Sequence, residues 1–404
     1  MAIDDLLKSF TRSDYQRDNF DAFLKKEKFS FNIPSIHIAG TNGKGSTAFY
    51  LAEIYKYNGY KVGRFTSPAI ISTNEIINVN DEPIKDKEFT DIFNQYKKAF
   101  EKYDLSIFEI QTFIAFKYFM AKQCDICVIE CGMGGELDAT NIFTPVLSII
   151  TSISLEHTAF LGHTLSEIAE QKSGIIKEKT PVLIDEFDDD AVATIYKFTK
   201  ALEAPVHFIK KHIETSVNPQ GMTLNYHPFG EVQLSSFAPY STIDASFALE
   251  ATLILNESFP TDENKVKEAL KSVKMPCRFE IVNQNPLIIL DGAHNPEAAK
   301  ATVNALNLFY RGPVHVVFAC FKDKNLGALL SQFGSLHGDL TLTAFPHVRA
   351  RTEDEYFLFL GDYQFENDPI ALINRLKEQY PNEAILVTGS LAFASYIRKE
   401  LFHA

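Results

Sequence analysis

Short apolar runs alternate with longer amphipathic stretches in the first half of the chain. Ile36–Ala39, Asp125–Glu130 and Val146–Ser152 are mostly apolar, which is typical of strands in a parallel sheet that is covered on both faces. Thr47–Asn58 and Phe108–Gln123 carry apolar residues at helical spacing. Strands that alternate with helices in this way predict an α/β, doubly wound fold with a mostly parallel sheet.

The alternation is interrupted in the middle of the chain and then resumes. Residues 205–240 form short, polar, turn-rich segments, which predict a small antiparallel sheet. After a junction at Lys274–Asn285, strands are predicted again at Leu287–Leu290 and Ala384–Thr388. We therefore expect a second, smaller α/β lobe of the Rossmann-like kind to follow the junction.

Charge and hydropathy exclude some classes of protein. The net charge is −13, and binding to a nucleic acid backbone needs clustered cations instead. No apolar stretch approaches the ~18 residues that a membrane helix needs, and the beginning of the chain lacks the basic and apolar regions of a signal peptide. We therefore expect a cytoplasmic protein that binds neither nucleic acid nor membrane.

Three cysteines lie close together in the sequence and need a separate interpretation. Cys124 and Cys127 have the CxxC spacing of zinc and redox sites, and Cys131 follows them. No second Cys or His pair lies nearby in the sequence to complete a tetrahedral site. The run CDICVIEC is better explained as a buried strand, so we predict that these cysteines belong to the core.

A glycine-rich loop lies between a predicted strand and a predicted helix. Its residues are Gly40-Thr41-Asn42-Gly43-Lys44-Gly45-Ser46. The free N–H groups of a helix N-terminus bind phosphate, and glycines let the backbone approach it closely. Lys44 can reach the β- and γ-phosphates, and Ser46 or Thr47 can bind a metal or cap the helix. The standard GxxxxGK[ST] pattern is not met, because Ile38 replaces its first glycine and Gly45 separates Lys44 from Ser46.

Two acidic residues follow apolar strands, where ligands bind in open α/β sheets. Glu130 ends one predicted strand, and Asp291 follows another. Each has a simpler explanation as well, since a lone acid can be solvated and Asp291-Gly292 can be an ordinary turn. In the same way, His157 can be a solvated loop residue, and Lys172 can form surface ion pairs with neighbouring acids of its helix.

The glycine-rich loop resembles the nucleotide loop of the Mur ligase superfamily, and in particular its folylpolyglutamate synthase and dihydrofolate synthase branch. Further blocks of the chain match that family in the expected order. They are Thr66-Ser67-Pro68, Phe108-Glu109, Glu130–Asn141, Glu156-His157-Thr158, Gln171–Gly174, Arg278-Phe279, Asp291–Pro296, Lys322–Lys324 and Thr388–Leu391.

The resemblance implies an ATP-dependent ligase with an ATP site to which both lobes contribute. The ATP-binding residues would be Thr41, Asn42, Gly43, Lys44, Gly45, Ser46, Asp244, Arg278 and Asp291. Ser67, Glu130 and His157 would hold Mg²⁺, and Lys172 matches a lysine that the family carbamylates. The catalytic set would then be Lys44, Glu130, His157 and Lys172.

The same resemblance implies the substrates and the division of the chain. Glu109, Asp138 and His294 would bind substrate, which would be L-glutamate and a folate or a related carboxylate. The carboxylate would be activated by ATP as an acyl phosphate. Residues 1–276 would form the central ATP-binding domain, residues 277–404 the glutamate ligase domain, and the protein would be a monomer.

Several residues depart from the family pattern, mainly on the side of the acceptor. The changes are Ala69 for His, Glu136 for Arg, Glu156 for Asp, Gln171 for Glu, Asp244 for Asn and Cys277 for Gly. A negative charge at Glu136 would disfavour an anionic glutamate tail. Two alternatives therefore stay open beside a folylpolyglutamate synthase. One is a paralogous ligase for another carboxylate, and the other is a catalytically weak ATP-binding homologue.

Overall fold

The computed structural model describes residues 3–10, 17–210 and 214–402, and it divides the chain into two compact units. The first unit contains the chain up to Glu214 together with Leu224–Gln233 and Ile243–Val273; the second contains Thr215–Thr223, Leu234–Thr242 and the chain from Lys274 onward. In the described part of the chain, no helix is both long and apolar enough to cross a membrane. The predicted domain boundary at 276/277 stays a prediction.

The first unit is built on an eight-stranded sheet. Its strands are β1 (Ser35–Ala39), β2 (Val62–Phe65), β3 (Ile77–Val79), β4 (Glu82–Pro83), β5 (Ile126–Glu130), β6 (Leu147–Ile150), β7 (Val182–Ile184) and β8 (Val206–Phe208). The order is β4-β3-β2-β5-β1-β6-β7-β8, and only the β2–β3 and β3–β4 pairs are antiparallel. All residues of β1, β5 and β6 are buried, which confirms the prediction from their apolar sequences.

Eight helices connect or flank these strands in the described residues. They are α1 (Ile3–Leu7), α2 (Arg17–Lys26), α3 (Lys44–Tyr57), α4 (Asp86–Lys102), α5 (Ile107–Lys122), α6 (Thr158–Leu161), α7 (Leu165–Ser173) and α8 (Asp189–Ala201). One prediction was wrong by almost a turn, because α3 begins at Lys44 and not at Thr47. Gly43 is the N-cap with φ +84°, so the chain enters the helix directly after it, and neither Ser46 nor Thr47 is the cap.

The middle of the chain contains a small sheet and two more helices. The strands are β9 (Thr215–Asn218), β10 (Gly221–Tyr226) and β11 (Gly230–Gln233), and the helices are α9 (Tyr240–Ile254) and α10 (Glu263–Ser272). The sheet has the order β11-β10-β9, and its consecutive strands are joined by turns too short for a parallel crossover. The predicted antiparallel sheet is therefore confirmed.

The second unit has a six-stranded sheet of the predicted Rossmann-like kind. Its strands are β12 (Glu280–Gln284), β13 (Leu287–Leu290), β14 (Val314–Phe318), β15 (Leu340–Thr343), β16 (Gln364–Glu366) and β17 (Ala384–Thr388), and its helices are α11 (Pro296–Phe309), α12 (Leu326–Leu330), α13 (Pro369–Gln379) and α14 (Leu391–Phe402). The order is β12-β13-β17-β14-β15-β16, and only β12 pairs in the antiparallel sense.

The three neighbouring cysteines lie in the core of the first unit. Cys127 is in β5, Cys124 and Cys131 flank the strand, and all three are buried free thiols. The interpretation of CDICVIEC as a buried strand is therefore confirmed.

Phenyl rings form much of the core of the first unit. The ring of Phe113 in α5 is fully buried, and its centroid lies 4.9 Å from that of Phe23 and 5.1 Å from that of Phe29. Tyr96 and Phe100 of α4 approach it to 4.7 and 5.8 Å. Phe113 thus joins α5 to α4 and to the α2 region, which makes it a central packing residue.

We expect Phe113→Ala to lower the free energy of unfolding by about 3–5 kcal/mol, because it removes a buried ring and leaves a cavity. The measurement is urea unfolding followed by circular dichroism. Met120→Ala, at a residue of the same helix that is 39% exposed, is the matched control and should change stability little. Equal losses in the two variants would contradict the central role of Phe113.

Candidate active site

The carboxyl ends of three adjacent parallel strands form the site in the first unit. The strand β1 pairs with β5 on one side and with β6 on the other. The loops that follow these strands therefore emerge at the same edge of the sheet, where open α/β sheets bind ligands. They carry the glycine-rich loop after β1, Cys131 onward after β5, and Thr151 onward after β6.

Hydroxyl groups after β6 support the backbone of the glycine-rich loop. Thr151 Oγ1 donates to the carbonyl oxygen of Asn42 at 2.6 Å, and Ser152 Oγ accepts from the amide of Asn42 at 2.7 Å. Thr41 Oγ1 donates to the carbonyl oxygen of Ser154 at 3.2 Å. The sequence analysis missed these supporting residues. Their signal was the cluster of hydroxyl residues at the end of an otherwise apolar strand.

Two predicted nucleotide-binding side chains, Asp244 from outside the loop and Lys44 from within it, contact the loop backbone. Asp244 is buried, and a Cβ atom placed on Gly43 would lie only 2.4 Å from its Oδ1. Lys44 Nζ donates to the carbonyl oxygens of Gly40 at 2.8 Å and Thr41 at 3.2 Å. The Lys44 ammonium thus lies at the beginning of the loop, beside Gly40 and Thr41, whereas the Asp244 carboxylate lies beside Gly43.

Glu130 brings a second strand end to the same loop. Its Oε2 accepts from the backbone amide of Ser67 at 3.0 Å, and a Cβ atom on Gly45 would lie 3.4 Å from that oxygen. The Glu130 side chain is buried. Two of the three predicted metal ligands, Ser67 and Glu130, are thus next to each other and next to the first turn of α3.

The third predicted ligand, His157, is the N-cap of α6. Its backbone has φ +50°, its side chain is 37% exposed, and its Nε2 lies 3.8 Å from Glu156 Oε1. Across residues 3–10, 17–210 and 214–402, no three or more His, Cys, Asp or Glu side chains cluster closely enough to hold a metal ion. The predicted set of Ser67, Glu130 and His157 contains only two residues of these types, so it stays a prediction.

Lys172 lies inside the unit near other charges of the site. It belongs to α7 and is only 2% exposed, so the alternative of a surface ion pair is wrong. Burial in the first place, and the positive charge of Lys44 in the second, lower the pKa of Lys172 to about 7. Glu156 and Asp138 act in the opposite direction. A large share of this amine is therefore neutral, and hence nucleophilic, near neutral pH.

The two predicted substrate-binding acids of this unit both make internal hydrogen bonds. Asp138 is buried, and its carboxylate accepts from the amides of Met133 at 2.8 Å and Thr140 at 3.0 Å. Burial raises the pKa of Asp138. Glu109 is fully buried and caps α5 by accepting from the amide of Ser106 at 2.7 Å. Both residues have clear structural roles, and substrate binding by them stays a prediction.

The loop after β13 is organised by Asp291 in the second unit. Its Oδ2 accepts from the amide of Phe279 at 2.8 Å and from Tyr240 Oη at 3.0 Å. Its Oδ1 accepts from the amide of Ala293 at 2.9 Å and from Thr302 Oγ1 at 2.7 Å. A carboxylate has about four acceptor positions, so the protein itself already uses all of those on this side chain.

His294 and Arg278 lie near Asp291 in the sequence of the second unit. His294 Nδ1 lies 2.9 Å from the carbonyl oxygen of Gly292. A carbonyl oxygen only accepts, so Nδ1 carries the proton and Nε2 is the acceptor nitrogen of the neutral ring. Arg278 is half-buried, and its amide donates to the carbonyl oxygen of Met275 at 3.3 Å.

The fold and the loop are those of a Mur-type ligase. The model of the Mur ligase middle domain matches residues 38–250, and that of the Mur ligase, glutamate ligase domain matches residues 277–391. The chain is 32% identical to the dihydrofolate synthase/folylpolyglutamate synthase of Bacillus subtilis (strain 168), with 91% of this chain and 90% of the relative covered. It is 34% identical to the dihydrofolate synthetase of Saccharomyces cerevisiae, with 88% and 90% covered.

A solved structure agrees with these sequence relatives. Escherichia coli FolC in complex with ADP superimposes with a TM-score of 0.86 at 25% identity, covering 98% of this chain and 95% of that chain. The chain therefore belongs to the folylpolyglutamate synthase and dihydrofolate synthase family. The resemblance seen in its motifs is confirmed.

We expect Gly43→Ala to abolish binding of a non-hydrolysable ATP analogue. An alanine there would be strained at φ +84°, and its Cβ would collide with Asp244. Gly59→Ala is the matched control, because Gly59 has φ +94° after the other end of α3 but nothing lies within 4 Å of its Cβ position. Calorimetric titration should show unchanged affinity in Gly59→Ala. Equal binding by both variants would contradict the close contact of loop and Asp244.

We expect Lys172 to make the protein more stable as the pH rises from about 7 towards 9. In the folded state its pKa is about 7, compared with 10.5 for the free side chain, so the unfolded state binds more protons in this range. Lys172→Met should therefore show a flatter dependence of the unfolding free energy on pH. Lys179→Met, at a side chain that is 67% exposed, should keep the wild-type dependence. Parallel curves for wild type and Lys172→Met would contradict the buried neutral amine.

Proposed function

We propose that this protein is an ATP-dependent folylpolyglutamate synthase that also has dihydrofolate synthase activity. It would add L-glutamate to the carboxylate of a folate through an acyl phosphate. The observation that carries the proposal is the approach of Glu130, Ser67 and Gly45 to one another at the nucleotide loop, within a chain that matches such enzymes over most of its length. The site thus combines the backbone amides of the glycine-rich loop, which are suited to phosphate, with the buried carboxylate of Glu130.

The reaction needs an activated acyl group because a carboxylate has no good leaving group. In the first step, the folate carboxylate oxygen attacks the γ-phosphorus and ADP departs. In the second, the glutamate amine attacks the acyl carbon, phosphate departs and one proton is released. Lys44 and the amides of the loop stabilise the negative charge that spreads over the transferring oxygens. To do so, Lys44 exchanges its carbonyl partners Gly40 and Thr41 for phosphate oxygens.

The donor atoms present fit a magnesium ion. Ser67 offers a hydroxyl and Glu130 a carboxylate, and both are hard oxygen donors. The two residues already lie together, because the backbone amide of Ser67 donates a hydrogen bond to the Glu130 carboxylate. Ser67, Glu130 and His157 would hold the ion. Magnesium neutralises phosphoryl charge when it is bound. The residues themselves orient the loop and keep the acid buried.

Carbamylation of Lys172 is part of the proposal. A carbamate forms when a neutral amine attacks carbon dioxide, and burial keeps much of this amine neutral near pH 7. The product is an anion, which the neighbouring positive charge of Lys44 would stabilise in place of the present repulsion. The test is a ¹³C spectrum of protein in labelled bicarbonate. A carbamate signal in the wild type that is missing in Lys172→Met supports the modification, and its absence from both contradicts it.

In the second unit we propose that the ring of His294 contacts substrate. The support for this proposal is position: His294 lies in the loop directly after β13, whose backbone Asp291 holds through the amide of Ala293, and open α/β sheets bind ligands at such strand ends. We also propose that residues 277–404 form the glutamate ligase domain and residues 1–276 the ATP-binding domain. The enzyme would act as a monomer, which light scattering can test.

We expect Lys44→Ala to lower the turnover by about 10²–10³-fold, the usual effect of removing one donor from a developing anion. The assay follows ADP release with Mg-ATP and glutamate, with tetrahydrofolate, dihydropteroate or no acceptor in separate reactions. Release that needs a folate, with a product heavier by one glutamate, supports the proposal. Binding of ATP without turnover on either acceptor would contradict it, and would favour another carboxylate or a weakly active homologue.

We expect Glu136→Arg to lower KM for an anionic folate by roughly a few-fold, the size of an exposed charge interaction. Glu136 is exposed, and its amide donates to the carbonyl oxygen of Gln171 at 2.7 Å, beside Lys172. Glu203→Arg makes the same charge change at a side chain that is 73% exposed on the loop after α8, and should leave KM unchanged. An equal change in both variants would indicate only a general effect of net charge.

A further inference from the structure

Arg278 lies between two residues with unusual backbone angles. Cys277 has φ +56° and Phe279 has φ +49°, although neither is a glycine. Residues with a Cβ atom are strained in this left-handed region. Such strain persists only where surrounding interactions hold it, and it is concentrated at functional sites. The short segment Cys277–Phe279, which we call the arginine turn, is therefore held by other groups.

Two carboxylates hold the arginine turn by its backbone. Glu280 Oε2 accepts from the amide of Cys277 at 2.9 Å, and Asp291 Oδ2 accepts from the amide of Phe279 at 2.8 Å. The carbonyl oxygen of Cys277 also accepts from the amide of Gly292 at 2.8 Å. Each strained residue thus has its amide bound to a carboxylate, and hydrogen bonds to a charged acceptor are among the strong ones.

Glu280 is in turn oriented by Arg398 of α14. Arg398 Nε donates to Oε1 of Glu280 at 3.1 Å and to Oε2 at 3.0 Å. The two side chains are only 12% and 22% exposed, so water screens the pair less than a surface pair. Arg398 therefore acts through Glu280 on the backbone of Cys277, the residue that precedes Arg278.

The side chain of Arg278 itself is uncommitted. Within residues 3–10, 17–210 and 214–402 its guanidinium has no hydrogen bond, ion pair or aromatic contact, although the residue is half-buried. Five N–H donors are thus presented from a turn whose backbone is fixed on both sides. This combination suits a polyanionic ligand such as the phosphates of ATP.

We propose that Glu280 and Arg398 are positioning residues that fix the arginine turn and so direct Arg278 at the nucleotide. The inference rests on the proposed function and on the ATP-binding role that the family resemblance implies for Arg278. Neither residue touches ATP in this proposal. Their effect is on the affinity for the nucleotide, and it passes through the strained backbone of Cys277.

The test combines Glu280→Ala with two substitutions at Cys277 in the full-length protein. Cys277→Ala removes the thiol but keeps the strain, whereas Cys277→Gly removes both the thiol and the strain. We expect Glu280→Ala to raise the Kd of a non-hydrolysable ATP analogue about fivefold in the Cys277→Ala background, the size of a contact coupling. In the Cys277→Gly background the loss should be much smaller, because glycine adopts the turn without help.

Further variants separate positioning from folding. Arg398→Gln should weaken binding in the same direction, and Glu280→Gln, which keeps an acceptor oxygen, should restore most of the affinity lost in Glu280→Ala. Thermal unfolding of each variant shows that the measured chains are folded. A loss of affinity that is equal in both Cys277 backgrounds, or an unchanged Kd in Arg278→Ala, overturns the inference alone. A wild-type chain that does not bind the analogue overturns the proposed function together with it.

Discussion

The hydrogen bonds between the end of β6 and the backbone of Asn42 are the constraint on which the glycine-rich loop depends. A loop with three glycines has little preference for one shape, so its shape must come from its surroundings. Thr151 and Ser152 supply it by binding both the carbonyl oxygen and the amide of Asn42. Because β1 and β6 are adjacent and parallel, with Ala39 opposite Ile150, the residues after β6 lie beside the loop that follows β1.

Charge balance explains why the acids and lysines of the first unit belong together. The positive charge of Lys44 repels that of the buried Lys172 and makes Lys172 less stable as a cation. Glu156 and Asp138 partly compensate. A phosphate group near Lys44, or a negative charge on Lys172, would relieve this repulsion. The site is therefore electrostatically incomplete without anions, which suits a protein that transfers phosphoryl groups.

The sequence predicted the sheets well and the contacts poorly. Leu287–Leu290 and Ala384–Thr388 occur with the predicted bounds, because apolar runs bounded by turn residues have few alternatives. The start of α3 was misplaced, since a glycine N-cap has no side-chain signal. The burial of Lys172 could not be predicted either. A lysine flanked by acids suggests a surface, and only the packing of α7 shows otherwise.

The resting contacts of Lys44 have a consequence for how the loop recognises its ligand. The ammonium already has two acceptors, the carbonyl oxygens of Gly40 and Thr41. In the proposed function, a nucleotide phosphate would compete with these two backbone carbonyl oxygens for the ammonium group, and neutral acceptors would be exchanged for charged ones. Weakly charged or uncharged compounds gain nothing from that exchange. In the proposed function, the loop would therefore discriminate between ligands by the strength of the incoming hydrogen-bond acceptor.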